Sequence, residues 1–106
     1  MIMLEFASVL FILVGAHWIC DYPLQGQFLA EAKINGPLRL YHLIAHSGIH
    51  GVAVFLITGN IWFGLAEWVA HTIIDGCKCR GATSFAVDQF LHILCKVMIA
   101  LLFISI

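Results

Sequence analysis

The chain has 106 residues, 62% of them hydrophobic and 10% charged, with a mean hydropathy of +1.02. An ordinary soluble domain is about 45–50% apolar, so this composition excludes a soluble globule and predicts an integral membrane protein. The net charge is -1 and the basic residues form no stripe interleaved with aromatics, which excludes nucleic acid as a partner. A membrane span takes about 20 residues, so the length predicts one transmembrane domain, residues 1–106, with room for no more than four crossings.

The first predicted helix runs from Ile2 to Asp21 and stops at Tyr22-Pro23, because proline cannot continue a helix and forces its predecessor into extended geometry. Glu5 stands where a secretory signal would carry a positive charge, and no small-residue cleavage site follows, so this helix is expected to be retained. Residues Leu24 to Asn35 mix Gln25, Gln27, Glu31 and Lys33 with Phe28, Leu29 and Ile34, a pattern suited to a short helix lying in the headgroup region. Gly36-Pro37 ends it.

The second long helix is predicted from Leu38 to Thr58. The turn at Thr58-Gly59-Asn60 is so short that the third, from Ile61 to Asp75, must run antiparallel beside it. That third span is short for a full crossing and reads as tilted or partly re-entrant. Gly76 to Thr83 is predicted as a loop, and Thr83 or Ser84 can cap a last helix reaching Ile106. The expected fold is therefore an all-α, up-down bundle of four membrane helices with an interfacial segment between the first two. Lys33, Arg39, Lys78 and Arg80 all fall in the first and third connections, which share one side of such a bundle. The positive-inside rule makes that side cytoplasmic and turns both termini outward. Four cysteines (Cys20, Cys77, Cys79, Cys95) are then expected to be reduced thiols. Trp18, Trp62 and Trp68 read as belt or packing residues.

The chemistry lies in one spacing. All six histidines and all three aspartates stand four residues from another of their set: His17 with Asp21, His42 with His46 and His46 with His50, His71 with Asp75, and Asp88 with His92. Chance would give on the order of one such pair, whereas five occur. On a helix this spacing stacks two side chains on one face. The pairs fall at the end of the first helix, the start of the second, the end of the third and the start of the fourth, so they converge about 6–12 Å below the cytoplasmic end. Asp21 and Asp75 near helix C-termini are disfavoured by the macrodipole unless a cation joins them.

These observations predict a metal centre for one or two divalent ions with His17, Asp21, His46, His50, His71, Asp75, Asp88 and His92 as ligands. Zinc leads over manganese and iron on donor type. The Glu-x-x-His spacing of di-iron bundles is absent. The competing reading is a network of His-Asp hydrogen bonds gluing the helices together. His42, Gln25, Gln89, Glu67 and Lys96 are expected to support the ligands from behind, with Glu67 and Lys96 at one level as a buried ion pair. Cys20 and Cys95 are either small buried residues or extra ligands. Lys78 and Arg80 are candidates for binding an anionic head group, although topology alone also explains them.

At His17-Trp-Ile-Cys-Asp21-Tyr-Pro-Leu-Gln25, the His46-x3-His50 pair, His71-x3-Asp75, Lys78 and Asp88-Gln89-x-x-His92, the chain resembles a family of small bacterial and phage membrane proteins known as a domain of unknown function, over most of its length. More distantly it is similar to inner-membrane proteins described as metal-dependent hydrolases, without their longer loops and additional acidic and histidine motifs. The resemblance implies a bacterial inner-membrane location and a metal site. The function expected first is hydrolysis of a lipid or lipid-linked (phospho)ester at the cytoplasmic leaflet. The alternatives are a metal or proton carrier or sensor, a membrane oxygenase, and a phage-encoded interaction protein with a structural metal. Membrane lipids are the expected partners, with a homo-oligomer or a larger membrane protein as further candidates.

Overall fold

The computed structural model describes residues 1–106 and consists of five helices: α1 (Ile2–Asp21), α2 (Gly26–Ala32), α3 (Arg39–Thr58), α4 (Ile61–Cys79) and α5 (Phe85–Ser105). Each boundary has a local cause. α1 ends ahead of Pro23, as expected. α3 closes on Gly59, whose φ of 67° is the left-handed conformation that a C-terminal stop requires. Asn60 then caps α4 by accepting from the Trp62 amide at 2.9 Å, and Thr58 Oγ1 accepts from the Asn60 amide at 3.2 Å. Ser84 caps α5 by accepting from the Val87 amide at 3.2 Å.

The third long helix departs from expectation. It continues four residues beyond Asp75, to Cys79, so Cys77, Lys78 and Cys79 lie on a helix and not in a loop. Gly76 does not break it because its bare face packs close to Leu43, and the stop falls instead at Gly81, with φ of 79°. The extra turn removes the length objection to a crossing. A compositional one remains, since α4 carries Glu67, Asp75 and Lys78. Three helices, α1, α3 and α5, are long and apolar enough to cross a membrane.

Each long helix packs on two others: α1 on α3 and α5, and α4 on the same two, while α2 leans on α3. The assembly is 48 Å long and 24 by 21 Å across. Leu4 and Glu5 share one depression with Phe103 and Ile104, and Phe63 meets the Phe103 ring edge-on at 6.3 Å. Both termini and the α3–α4 turn therefore occupy one end.

The distribution of side chains is inverted relative to a soluble protein. Only 19 residues are buried; eleven of these are polar or charged and six are apolar, while Phe11, Leu56 and Trp62 are more than 70% exposed. The interior is also divided lengthwise. Leu13, Val54, Ile99 and Ala100 form an apolar cluster toward the termini, backed by Phe6, Val9, Leu10, Ile57 and Phe63, and the buried polar groups fill the other half.

α3 and α4 approach closest, through glycine. A Cβ on Gly51 would lie 2.8 Å from the Gly64 carbonyl oxygen, and one on Gly64 would lie 2.8 Å from Phe55 Cβ. Small residues that let backbones meet are the usual device for joining helices in an apolar solvent. Trp68 adds a bond from its Nε1 to the Ile44 carbonyl at 3.0 Å. Gly51→Leu is expected to destabilise the protein by about 1–3 kcal/mol or more through overpacking, whereas Gly15→Ala, with nothing near the added atom, should leave stability equal or slightly raised. Thermal unfolding in detergent followed by circular dichroism compares the two.

Candidate metal centre

The four-residue spacings do place their side chains on inward faces. α1 contributes His17 and Asp21, α3 His46 and His50, α4 Glu67, His71 and Asp75, and α5 Asp88, His92 and Lys96. All but Asp21 are buried, and the Asp21 side chain, 17% exposed, sits at the mouth. His71 is the hub. Its ring stacks on His50 at 3.7 Å between centroids and on His92 at 4.1 Å. His46 lies 4.9 Å from His50, and His17 lies 5.1 Å from both His50 and His92.

Three sets of donor atoms are close enough to share an ion. Asp21, His46, His50 and His71 form one, Glu67, His71 and His92 a second, and Asp75, Asp88 and His92 a third, with the donor atoms of each set within 4.8 Å of one another. Seven of the eight predicted ligands thus fall into such sets. His17 stands beside them instead, with Nε2 3.1 Å from Gln89 Oε1 and 3.3 Å from Asp21 Oδ2.

The supporting residues divide. Lys96 Nζ donates to Glu67 Oε1 at 2.6 Å, the buried ion pair anticipated from their common level. The other oxygen, Glu67 Oε2, lies 3.2 Å from His71 Nδ1. An ionised carboxylate can only accept, so Nδ1 carries the hydrogen and the lone pair is on Nε2, a buried atom with no partner. This is the carboxylate-histidine arrangement that orients a ligand toward a metal. Gln89 bridges three chains of contact, since its Nε2 also donates to Asp88 Oδ2 at 3.0 Å and to Asp21 Oδ2 at 3.4 Å. Gln25 bonds to the Asp21 backbone carbonyl and supports no histidine side chain.

His42 corrects the sequence reading. It does not back His46 and His50; its half-buried ring meets Phe28 of α2 edge-on at 5.5 Å. It lies in the first turn of α3, where its ring is turned to α2 and not to the donor cluster. Cys20 and Cys95 belong to no donor set, and all four cysteines are free thiols. Lys78 rests over the Phe85 ring at 5.2 Å and lines an 80 Å³ cavity at the mouth together with Asp21, Lys33, Asp75 and Asp88. Arg80 donates instead to the Ile34 carbonyl at 2.8 Å, tying the end of α4 to the segment after α2.

One participant and one buried polar neighbour escape sequence reasoning. Lys33, just after α2, is buried and donates to Asp75 Oδ2 at 2.7 Å. No local pattern distinguishes it from a headgroup lysine, because its partner depends on how α2 folds back. Ser47 is fully buried, and its signal was available: Leu43, Ser47, Gly51 and Val54 follow the inward face of α3.

The donor chemistry fits a divalent ion on two counts. Buried core atoms lack a well-aligned hydrogen bond: His17 Nδ1, both nitrogens of His46, His71 Nε2 and His92 Nδ1, together with Asp88 Oδ1, although His46 Nε2 lies 3.3 Å from Asp21 Oδ1 and Asp88 Oδ1 lies 3.3 Å from His92 Nε2. Each such group costs about 1–3 kcal/mol when left unsatisfied. Charge is unbalanced too. The carboxylates of Asp21, Glu67, Asp75 and Asp88 meet the ammonium groups of Lys33 and Lys96 only, and the ion pairs are Lys33-Asp75 and Lys96-Glu67. Two carboxylates, Asp21 and Asp88, have no paired ammonium; Lys78 lines their cavity without pairing to either, and apart from it the deficit equals the charge of one divalent ion.

The fold and site define an all-α protein with an apolar exterior and a buried cluster of histidine and carboxylate donors at one end. The chain belongs to the family described as Protein of unknown function (DUF3307), which matches residues 9–106. No curated protein and no solved structure matches it.

The ion pair behind His71 is open to direct measurement. Lys96→Met strands a buried carboxylate and is expected to cost about 3–5 kcal/mol, while the double variant Glu67→Gln with Lys96→Met should recover most of that loss. A double-mutant cycle on unfolding in detergent reads the difference.

Proposed function

We propose that the four long helices form a transmembrane bundle in the bacterial inner membrane, and that it works as a metal-dependent hydrolase of a lipid or lipid-linked (phospho)ester at the cytoplasmic leaflet. The observation that carries the metal is the donor set of Asp21, His46, His50 and His71, its donor atoms all within 4.8 Å of one another, around a carboxylate that has no paired ammonium, with His46 Nε2 and His71 Nε2 buried and without a hydrogen bond. Hydrogen bonds join part of the cluster, His50 to Asp21 and His71 to Glu67 among them, but leave both nitrogens of His46 and Nε2 of His71 without one. The set of Asp21, His46, His50 and His71 offers three nitrogens and one oxygen, a donor mix that suits zinc ahead of manganese or iron.

When bound, such an ion supplies Lewis acidity toward water and toward an ester or phosphoryl oxygen. The chain's own residues do the rest. Glu67, held by Lys96, fixes the tautomer of His71. Gln89 holds His17, Asp21 and Asp88 in register. Lys78, at the mouth cavity, is placed to receive an anionic head group, and the apolar exterior lets a lipid approach from the side.

A carrier needs polar groups across the full thickness, and the layer below the cluster supports hydrolysis over transport. One turn deeper than His17, His50 and Lys96 stand Leu13, Val54 and Ala100, all buried in the apolar cluster. That layer seals the site on the side of the termini.

Purified protein is expected to hold about one or more equivalents of divalent metal by elemental analysis, with Asp21→Asn and His71→Ala each losing most of it. Metal-free protein, or loaded protein inert across a broad lipid and phosphoester panel, would sink the hydrolase. Orientation has its own test. In a cysteine-free background, an impermeant thiol reagent applied to intact cells should label Asn60→Cys and spare Ala82→Cys; the reverse pattern inverts the bundle.

A further inference from the structure

The third donor set differs from the first in two respects. Asp75, Asp88 and His92 offer two oxygens and one nitrogen, a harder mix suited to manganese or magnesium more than zinc. It is also occupied in part by the protein itself. Lys33 Nζ sits 2.7 Å from Asp75 Oδ2, against one carboxylate of the set, whereas Asp88 Oδ1, 3.3 Å from His92 Nε2, has no well-aligned hydrogen bond and His92 Nδ1 has none.

The helix that Lys33 follows is weakly seated. α2 has seven residues, none buried, and its neighbourhood is held by the Lys33-Asp75 pair, the Arg80 bond to the Ile34 carbonyl and the edge contact of Phe28 with His42. Releasing Lys33 therefore disturbs no packed core.

Charge sets the order of events. With Lys33 in place, one ion at the first set neutralises the two carboxylates that have no paired ammonium. A second ion alongside Lys33 would leave an excess of two positive charges in a low-dielectric interior, which is strongly disfavoured. If Lys33 withdraws to the headgroup region, one excess positive charge remains, and an incoming anion cancels it.

We infer that Asp75, Asp88 and His92 form a second cation site for which the Lys33 ammonium is a tethered competitor, and that the second ion enters together with an anionic oxygen ligand of the phosphate class. The 80 Å³ mouth cavity, which Asp75, Asp88, Lys33 and Lys78 all line, has room for about two or three waters or a small anion in their place. This inference rests on the metal reading above and deepens it: Lys33 links occupancy of the second site to the arrival of substrate.

The test uses full-length protein in detergent, both zinc-loaded and metal-free, titrated with manganese and read by the electron paramagnetic resonance of the free ion. Lys33→Met is expected to bind manganese about tenfold tighter or more, because a competing occupant has been removed, and Lys33→Arg should stay near wild type. Inorganic phosphate should tighten manganese binding to wild type at least about threefold. Asp88→Asn should lose this manganese while retaining zinc, an arm that reads the site even if Lys33→Met folds poorly. Unchanged manganese affinity in Lys33→Met, or manganese retained in Asp88→Asn, overturns the competitor; no response to phosphate overturns the coupling. Absence of zinc from the wild type would instead strike the first site, and the manganese arms on metal-free protein still report on Lys33.

Discussion

Two carboxylates too many, buried among imidazoles, are what the rest of the structure is arranged around. An aspartate stranded in an apolar medium costs several kcal/mol even after relaxation, and the usual escape, contact with water, is limited here to the exposed edge of Asp21. Every neighbouring feature answers that problem. Lys96 and Lys33 each neutralise one acid, Gln89 donates to two more, and the imidazoles turn nitrogen toward what is left. A divalent cation would close the account, because neutral histidines hydrogen-bond to an anion without cancelling its charge.

The same requirement explains the inverted interior. In water a chain hides apolar side chains and this releases free energy; three of these helices are apolar enough to cross a membrane, and among lipid tails there would be no such gain, helices associating there through close packing and polar contacts. The fold uses both, in separate halves. Gly51 against Gly64 lets α3 and α4 approach as near as backbones permit, and the polar cluster then ties α4 to α1 and α5. The apolar cluster of Leu13, Val54, Ile99 and Ala100 confines the cost of the charged half to one end.

Much of this was legible in the sequence because a helix repeats at nearly four residues, so spacing alone reveals which side chains share a face. That is why His46, His50, His71, Asp75, Asp88 and His92 were recognisable as one cluster, and why Glu67 and Lys96 could be paired from their levels. Spacing reports a face but not whether anything packs against it. His42 satisfies the same pattern as His46, yet its ring is turned to α2 and meets Phe28. Lys33 failed for the opposite reason: its partner Asp75 is 42 residues away, and only the fold-back of α2 brings them together. The end of α4 was misplaced because Gly76 reads as a breaker unless one knows that Leu43 packs close to its missing side chain.

Asp21 and Asp75 occupy matching places, each near the C-terminal end of an outgoing helix where the macrodipole is negative, and the contrast between them explains the division of labour. Asp88 has no such difficulty, since it lies in the first turn of α5, where the dipole favours an anion. Asp75 is one turn in from the end of α4 and has a lysine of its own. Asp21 is the final residue of α1, has no lysine, and is faced by Nε2 of His17, His46 and His50 at 3.3, 3.3 and 2.9 Å. Of the four acids it is the one least stabilised by its helix, it shares with Asp88 the lack of a paired lysine, and it is the one with the most imidazoles. A carboxylate in that position is best satisfied by a cation that those imidazoles can also bind. On the metal reading proposed above, Asp21 would be the ligand on which a first ion depends, and Asp75, already paired with Lys33, the one left for a second.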